Sequence, residues 1–472
     1  TEYSWRYRVP WWIECQSMAS LYVSSSDSLA GQSRKHEKGI RPKMSTIEID
    51  ISYGSKTVQA ILPAGKLLGS LDVTDTPALV DRERAIREAI DTPIGLEKSI
   101  FQIVNPGETV VIVVPDSFRM TRIEQVLPIL VEGLIEAGIS ESDITFVYAT
   151  GTHRGPTPEE ERKILGDAIY ERFKNQAFSH DPRDEDNLIY VGTTNRGTKV
   201  HINRRVQEAD RIISTGAVVL HYFGGFGGGR KSIVPGVASI SSIASNHSMN
   251  LHPTEDEIDP AVRIGGLEGN PVAEDMLEAT QKSHVDYIVN TVLNRNSEIA
   301  AVFAGELETA HLEATKLAHR QFATNIDQQA DLVIAASPST QNFVQTHKAL
   351  FNAYQAVKPD GRIILLAPCP EGLGGDQFAK WLRLGSREAI IAGLRRESEI
   401  NGQTALSTIQ KAPITYVVTE MTDDDVRMMR GRPVDSLDDA VSKAFADLAV
   451  DGRTEPTVYL MPSAAYTVPF LQ

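Results

Sequence analysis

The sequence has few cysteines and no long apolar segment. Cys15 and Cys369 are the only cysteines among its 472 residues, so it can form neither a disulfide framework nor a metal site built from cysteines. No segment contains the roughly twenty consecutive apolar residues of a membrane-spanning helix, and the start lacks the basic-then-apolar order of a signal peptide. The sequence therefore predicts a soluble, cytoplasmic protein that does not insert into a membrane.

Positive charge is also scarce, since 62 acidic residues outnumber 47 basic ones and give a formal net charge of -15 at pH 7. Nucleic acids and acidic membranes bind to clustered basic surfaces, so the composition argues against both as partners. An anionic substrate would need a local basic pocket. Residues 1–43 contain three tryptophans followed by a serine-rich and then a basic stretch, and we expect them to form a disordered N-terminal extension.

From Thr46 onward, apolar strands alternate with amphipathic helices, which is typical of a mostly parallel sheet covered on both faces. A chain of this length favours two domains. We predict an α/β fold of two domains, each a mostly parallel sheet flanked by helices, with the active site in the cleft between them. The predicted parts are a larger cofactor-binding catalytic domain at 44–315, a smaller α/β domain at 316–455 and a tail at 456–472 that docks back on the first domain.

Polar side chains follow three predicted strands at their carboxyl ends, where open α/β sheets bind ligands. Asp116, His153 and His221 come at or after the strands of GETVVIVVPD, DITFVYATGTHRG and ADRIISTGAVVLHYFGG. Histidine can take and return a proton near neutral pH. Each histidine alone is more often structural, but several strand-end histidines predict a catalytic crevice.

A glycine-rich segment, HYFGGFGGGRKSIVPGVASISSIASNH, runs from His221 to His247. Such a backbone can approach a ligand closely and direct N–H groups at anionic oxygens. The Walker A motif does not match, because Arg230 precedes Lys231 where that motif requires glycine. A surface loop with glycines in its turns remains an alternative. The glycines predicted to contact a cofactor are Gly225, Gly227, Gly228 and Gly229.

Three further residues are candidates for holding a carboxylate. Arg119 follows Asp116 in DSFR, and Gln345 and Lys348 share a predicted helix face in QTHK. Arginine and lysine in a crevice suit a carboxylate, although a solvated loop and a helix surface would explain the same residues.

Together these motifs resemble those of the lactate racemase family, whose members carry a nickel-pincer nucleotide. The shared pattern is HYFGGFGGGRKSIVPGVAS with a following N-H, joined in order by D-x-x-R, GTHR and Q-x-x-K, from Met44 to the C-terminus. The resemblance implies that Lys231 binds the pyridinium-3-thioamide-5-thiocarboxylic acid mononucleotide through its thioamide. It also implies that nickel is held by two sulfurs, one ring carbon and His247.

The resemblance implies an isomerase that inverts C2 of a 2-hydroxy acid by proton-coupled hydride transfer, through a 2-keto acid. It assigns His153 and His221 as acid/base residues, Arg119 and Lys348 to the substrate carboxylate, and supporting contacts to Asp116 and Gln345. Removing hydride is also favoured chemically, since a C2–H bond beside a hydroxyl is a poor acid. Proteins of cofactor biosynthesis would load the enzyme.

Two differences from the family pattern concern the substrate. Val344 stands where the family has tyrosine, and the stretch near 400–408 lacks the family's tryptophan. We therefore expect a longer or sugar-type 2-hydroxy acid rather than lactate. Two alternatives stay open: a metal-dependent lyase or hydratase that uses the same histidines around an ordinary divalent ion, and a non-catalytic nucleotide-cofactor carrier.

Overall fold

The structure is a computed structural model that describes residues 46–62 and 66–472. The extension predicted at 1–43 therefore lies outside the described residues. The described strands are, in chain order, β1 (Ile47–Tyr53), β2 (Lys56–Leu62), β3 (Lys66–Ser70), β4 (Val110–Pro115), β5 (Ile144–Ala149), β6 (Ala177–Ser179), β7 (Leu188–Thr193), β8 (Lys199–Asn203), β9 (Arg211–Ala217), β10 (Leu220–His221), β11 (Gly225–Phe226), β12 (Val285–Leu293), β13 (Ile299–Gly305), β14 (Ala323–Ile326), β15 (Ala330–Ala336), β16 (Val357–Leu366), β17 (Thr415–Val418), β18 (Arg432–Val434), β19 (Thr457–Met461) and β20 (Val468–Leu471).

The described α-helices are α1 (Arg82–Asp91), α2 (Ile100–Ile103), α3 (Leu127–Glu136), α4 (Pro158–Leu165), α5 (Asp167–Phe173), α6 (Arg204–Gln207), α7 (Ile240–Ser248), α8 (Pro271–Gln281), α9 (Thr309–Phe322), α10 (Phe343–Ala356), α11 (Asp376–Leu382), α12 (Arg387–Arg396), α13 (Ile400–Lys411), α14 (Asp423–Met428) and α15 (Leu437–Val450). The chain divides into two compact units. Unit 1 contains the described residues up to Val73 together with 323–390 and 401–472, and unit 2 contains 74–322 and 391–400.

Unit 2 is built on a six-stranded sheet with the strand order β13-β12-β9-β4-β5-β6. Its strands are parallel except for the β12–β13 pair. Every residue of β4 is buried, because its alternating side chains pack into one core cluster on each face of the sheet. Ligands of such a sheet bind at the strand ends. Since β9, β4 and β5 are neighbours, their carboxyl ends lie side by side.

Unit 1 contains a second six-stranded sheet, ordered β18-β17-β16-β15-β19-β3, in which all neighbouring strands are parallel. Strand β3 forms its edge by pairing with β19, with Lys66 opposite Thr457. The sequence prediction placed this N-terminal segment in a first domain at 44–315. The structure places it with the C-terminal half, because the choice of sheet depends on a partner strand far along the chain.

The predicted tail at 456–472 also differs from the structure. Strand β19 lies inside the sheet of unit 1, between β15 and β3, and β20 pairs with β14. The tail therefore completes its own unit and does not form a separate segment that docks on the first domain. Its apolar residues are buried by strand pairing within unit 1.

Both units are mostly parallel sheets flanked by helices, which confirms the predicted α/β class. Among the described residues, no helix is long and apolar enough to cross a membrane.

Unit 1 contains a buried lysine at the end of α13. Lys411 is 6% exposed, and its Nζ donates a hydrogen bond to Oγ of Ser407 at 2.8 Å. The ammonium lies 4.9 Å and 5.3 Å from the ring centroids of Phe351 and Tyr354. No carboxylate in the described part of the chain forms an ion pair with it, and burial lowers its pKa from 10.5 to about 8.

We expect Lys411→Met to increase the free energy of unfolding near pH 7 by about 1–3 kcal/mol. Below pH 8 the folded protein contains a buried charge that the unfolded chain exposes to water, so the charge destabilises the fold. Between pH 8 and 10.5 the folded lysine is neutral, so the wild type gains stability and its difference from the variant decreases. Denaturant unfolding at both ends of this window checks the prediction, with the exposed Lys443→Met as control. An unchanged difference across the window would contradict it.

Candidate active site

Asp116 and His153 are in direct contact at the carboxyl ends of β4 and β5. Nδ1 of His153 lies 2.6 Å from Oδ2 of Asp116, whose side chain is 3% exposed. The other carboxylate oxygen accepts a hydrogen bond from N–H of Phe118 at 3.1 Å. The Phe118 ring packs against the imidazole with centroids 4.8 Å apart. These contacts fix the carboxylate and, through it, the imidazole.

The contact with Asp116 determines the tautomer of His153. An ionised carboxylate only accepts hydrogen bonds, so Nδ1 carries the proton and Nε2 keeps a lone pair. The His153 side chain is 39% exposed, which leaves it accessible to a ligand. His153 is therefore arranged as a proton acceptor.

Backbone contacts hold the turn that carries His153. The N–H of His153 donates to the carbonyl of Thr150, and the N–H of Gly151 donates to the carbonyl of Gly236, both at 2.9 Å. Gly151 has a φ of +55°, a conformation that glycine adopts without strain. The second contact joins this turn to the glycine-rich segment.

His221, at the end of β10, is held by backbone N–H groups, whereas a carboxylate holds His153. Its Nδ1 accepts hydrogen bonds from the N–H groups of Phe223 at 3.1 Å and Gly224 at 3.3 Å. Nε2 lies 3.0 Å from Nζ of Lys231. Since an ammonium only donates, both ring nitrogens of His221 face hydrogen-bond donors. The structure thus brings together one predicted acid/base residue and the predicted attachment site.

The four glycines predicted to contact a cofactor pack against protein atoms. The N–H groups of Gly227 and Gly229 donate to the carbonyl of Val219 and to Oδ1 of Asn290, both at 2.8 Å. A Cβ on Gly225 would lie 2.1 Å from a carbonyl oxygen, and one on Gly228 would lie 2.8 Å from a valine side chain. A phosphate cradle formed by the amides of Gly227 and Gly229 does not fit this structure. Because these glycines have no side chain, the backbone can pack closely against the neighbouring protein atoms.

His247, on α7, has the tautomer that a metal ligand needs. Its Nδ1 donates to the carbonyl of Ile243 at 2.9 Å, which leaves the lone pair on Nε2. Burial lowers the pKa of His247 to about 4, so the ring is neutral at physiological pH, and a neutral imidazole binds nickel. The Phe223 ring lies edge-on to the His247 imidazole, with ring centroids 6.1 Å apart. This contact connects His247 to the start of the glycine-rich segment.

The donor atoms around these residues bear on the kind of metal site. Within the described ranges, no group of three or more His, Cys, Asp or Glu side chains is arranged to hold a metal ion. A bare divalent ion usually takes at least three protein ligands, whereas a pincer nucleotide supplies most donors itself and needs one histidine. His247 supplies one neutral imidazole and Lys231 an amine, a pair of groups that fits the pincer nucleotide.

The predicted carboxylate-binding residues are distributed over both units. Arg119, in unit 2, is exposed, and none of the described carboxylates pairs with its guanidinium. Gln345 and Lys348 lie near the start of α10 in unit 1. Oε1 of Gln345 is buried and receives no hydrogen bond from the described residues, and Lys348 is exposed. Their joint action on one substrate stays a prediction.

Two buried residues that contact the glycine-rich segment, His311 and Asn290, could not be identified from the sequence. Nε2 of His311 donates to the carbonyl of Gly227 at 2.9 Å, and its Nδ1 accepts from Arg230 at 3.3 Å. Asn290 binds the amide of Gly229. Both residues come from elements far along the chain, and the only local signal was the arginine in place of a Walker A glycine.

Comparison with known proteins places these features in a family. Residues 53–258 match the lactate racemase N-terminal domain, and residues 326–462 match the lactate racemase C-terminal domain. The chain is 32% identical over 340 residues to lactate racemase of Thermoanaerobacterium thermosaccharolyticum, covering 71% of this chain and 78% of that protein. It is 30% identical over 339 residues to lactate racemase of Lactiplantibacillus plantarum, covering 70% and 77%.

Solved structures agree with this assignment. The structure of the lactate racemase apoprotein from T. thermosaccharolyticum matches with a TM-score of 0.78 and 28% identity, over 90% of this chain and 100% of that one. A Thermotoga maritima protein shares the fold, with a TM-score of 0.61 and 20% identity over 84% of this chain. Fold and sequence thus define an α/β isomerase of the racemase type. The chain belongs to the lactate racemase family.

Proposed function

We propose that the protein inverts C2 of a 2-hydroxy acid through a planar 2-keto acid, with a nickel-pincer nucleotide attached at Lys231. The observation that carries the proposal is the pair of contacts at neighbouring strand ends, Asp116–His153 and His221–Lys231. The Asp116–His153 contact gives a proton acceptor that is accessible to a ligand, and the His221–Lys231 contact gives an amine at the attachment position. A protein that only carries a nucleotide has no need of a proton acceptor.

The two residues that would hold the cofactor are Lys231, through its amine, and His247, through Nε2. When bound, the pincer nucleotide supplies the acceptor and donor of hydride for C2. The chain's own residues perform the proton transfer: His153 takes the hydroxyl proton at Nε2 as C2 becomes planar, and Asp116 stabilises the imidazolium that forms. A planar 2-keto acid can be reduced on either face. Inversion is completed when hydride returns to the opposite face of C2 and His221, the second acid/base residue, gives a proton to the oxygen; the two histidines exchange roles for the other enantiomer.

Arg119, Gln345 and Lys348 are proposed to bind the substrate. A free guanidinium and an ammonium suit the carboxylate that all 2-hydroxy acids share, and the unsatisfied Oε1 of Gln345 can accept a hydrogen bond from a hydroxyl. These cations would supply positive charge locally in an acidic protein.

The substrate is proposed to be longer than lactate. The stretch near 400–408 that lacks the family's tryptophan lies in α13, where Gln403 and Thr404 are buried. The proposal of a larger substrate pocket therefore depends on Val344, which is partly buried. Valine in place of tyrosine leaves more room for a side chain at C3. Since a single methylene changes specificity by about 1–3 kcal/mol, we expect a moderate preference and not an absolute one.

The test uses enzyme made together with its cofactor-biosynthesis proteins and assayed on lactate, a straight-chain 2-hydroxy acid, malate and gluconate. We expect higher kcat/KM on a longer acid, and Val344→Tyr should move the preference toward lactate. Substrate deuterated at C2 should keep its label in the product, because hydride returns to C2. Complete loss of the label to water would contradict the mechanism, and a preference for lactate in the wild type would contradict the substrate proposal.

A further inference from the structure

The residue next to His247 connects helix α7 to helix α8. His247 lies in the last turn of α7, and Asn246, which precedes it, is completely buried. Nδ2 of Asn246 donates a hydrogen bond to Oδ2 of Asp275 at 2.9 Å and another to the carbonyl of Val272 at 3.0 Å. Both acceptors belong to α8. The position of the last turn of α7 therefore depends on α8.

Asp275 is a buried carboxylate that accepts hydrogen bonds from three side chains. It is 1% exposed, and besides the amide of Asn246 it accepts from the hydroxyls of Thr194 at 2.5 Å and Thr198 at 2.9 Å. The Thr198 hydroxyl also lies 3.0 Å from Oγ of Ser245, a second residue of α7. A buried carboxylate is tolerated only when hydrogen bonds satisfy its oxygens. The carboxylate of Asp275 is thus the centre of a polar cluster that includes two consecutive residues of α7.

Helix α8 also contacts the other side of His247. Nδ2 of Asn270 donates to the carbonyl of Phe223 at 2.8 Å, and the Phe223 ring is the one that lies edge-on to the His247 imidazole. Asn270 is itself fixed, because its Oδ1 accepts two backbone N–H groups as the N-cap of α8. Asn270 and Asp275 therefore act from one helix on the two neighbours of His247.

The orientation of the His247 ring depends on the last turn of α7. Its Nδ1 donates to the carbonyl of Ile243 one turn earlier, so the ring keeps its direction only while this turn stays helical. The sequence of α7 is ISSIASNHS, and serine and asparagine have low helix propensity because they compete for backbone hydrogen bonds. Contacts with other elements must therefore stabilise this short helix, and the cluster around Asp275 supplies them at its C-terminal end.

We propose that Asp275 is a positioning residue that holds Asn246, and through it His247, in place for nickel. The role toward nickel rests on the proposed function, whereas the contact with α7 is a property of the unloaded protein. Residues that position a metal ligand typically change metal affinity by about 10- to 100-fold when they are replaced. Asp275 lies on α8, far along the chain from the glycine-rich segment, and none of the sequence motifs includes it.

The first measurement is amide hydrogen exchange in the full-length, unloaded protein, with the amides of β4 as an internal reference. In Asp275→Leu, which removes all three acceptor contacts, the amides of 246–248 should exchange roughly 10- to 100-fold faster. Asp275→Asn should stay close to the wild type, because its oxygen can face Asn246 while its NH₂ faces the Thr194 hydroxyl. The matched control is Thr194→Val, which removes one donor from the same carboxylate and leaves the contact with Asn246.

The second measurement is the release of nickel from loaded protein to a chelator, counted per molecule that carries the adduct. Asp275→Leu should release nickel roughly 10- to 100-fold faster than the wild type, and Asp275→Asn should restore slow release. Asp286→Asn controls for lost stability, because Asp286 accepts hydrogen bonds from Arg211 and from the N–H of Ile212 at the start of β9. That variant should be less stable and keep its nickel.

Asn246→Val breaks the same contact from α7 with a residue of similar helix propensity, and it replaces Asp275→Leu if that variant does not fold. Wild-type exchange at 246–248 in either folded variant would overturn the proposal, as would nickel release at the wild-type rate. A wild type that binds no nickel would refute the proposed function and the role toward nickel, while the exchange data would still decide whether Asp275 holds His247. The two failures are therefore distinguishable.

Discussion

Replacement of Asp116 by asparagine is expected to lower kcat of the loaded enzyme by roughly 10³- to 10⁴-fold, the loss typical of removing the carboxylate behind a catalytic histidine. The asparagine oxygen can keep the hydrogen bond from N–H of Phe118, which turns the amide NH₂ toward Nδ1 of His153. Nδ1 must then accept, the proton moves to Nε2, and the acceptor site is lost. KM should change little, because the carboxylate does not bind the substrate.

Steady-state kinetics of Asp116→Asn checks this expectation, and two-bond ¹H–¹⁵N spectra of the histidine side chains should show His153 protonated on Nε2. Asp331→Asn is the matched control: Asp331 is also a buried, hydrogen-bonded carboxylate, but it binds Thr457 and Lys358 in unit 1. That variant should lose stability and keep its kcat. An Asp116→Asn enzyme with more than about a tenth of wild-type kcat would show that the tautomer of His153 does not limit turnover.

Lys231→Ala is expected to abolish the covalent adduct and with it all racemisation. The amine is the only group at this position that can form the bond to the cofactor, and Lys231→Arg, which keeps the charge but is a poor nucleophile, should fail in the same way. Intact-mass spectrometry of protein made with its cofactor-biosynthesis proteins measures the adduct directly, and Lys199→Ala, at an exposed lysine, should be loaded like the wild type.

His247→Ala separates the two parts of the proposed cofactor site. It removes the proposed nickel ligand and leaves the amine, so nickel should fall well below wild-type stoichiometry whether or not an adduct at Lys231 persists. Full activity in Lys231→Ala would rule out covalent attachment there, and wild-type nickel content in His247→Ala would rule out His247 as the ligand.

The residues of the site could be named from the sequence because they follow strong local patterns. The buried strand VVIVVP predicts a parallel sheet, and polar residues at strand ends predict where Asp116 and His153 lie. The motif from His221 to His247 identified the family. Local patterns did not predict the domain limits, because these depend on strand pairing. Strands β3 and β19 lie in one sheet although most of the chain separates them.

The sequence by itself determined the α/β class, the family and the strand-end histidines, because each depends on residue types at short spacings. Only the tertiary structure decided which nitrogen of His153 carries the proton. Asp116, at the end of the neighbouring strand, accepts a hydrogen bond from Nδ1 of His153, whereas Nδ1 of His247 donates to a carbonyl one turn away on its own helix. A tautomer is fixed by the hydrogen-bond partner of each nitrogen, and Asp116 and His153 meet only because β4 and β5 pair in the sheet.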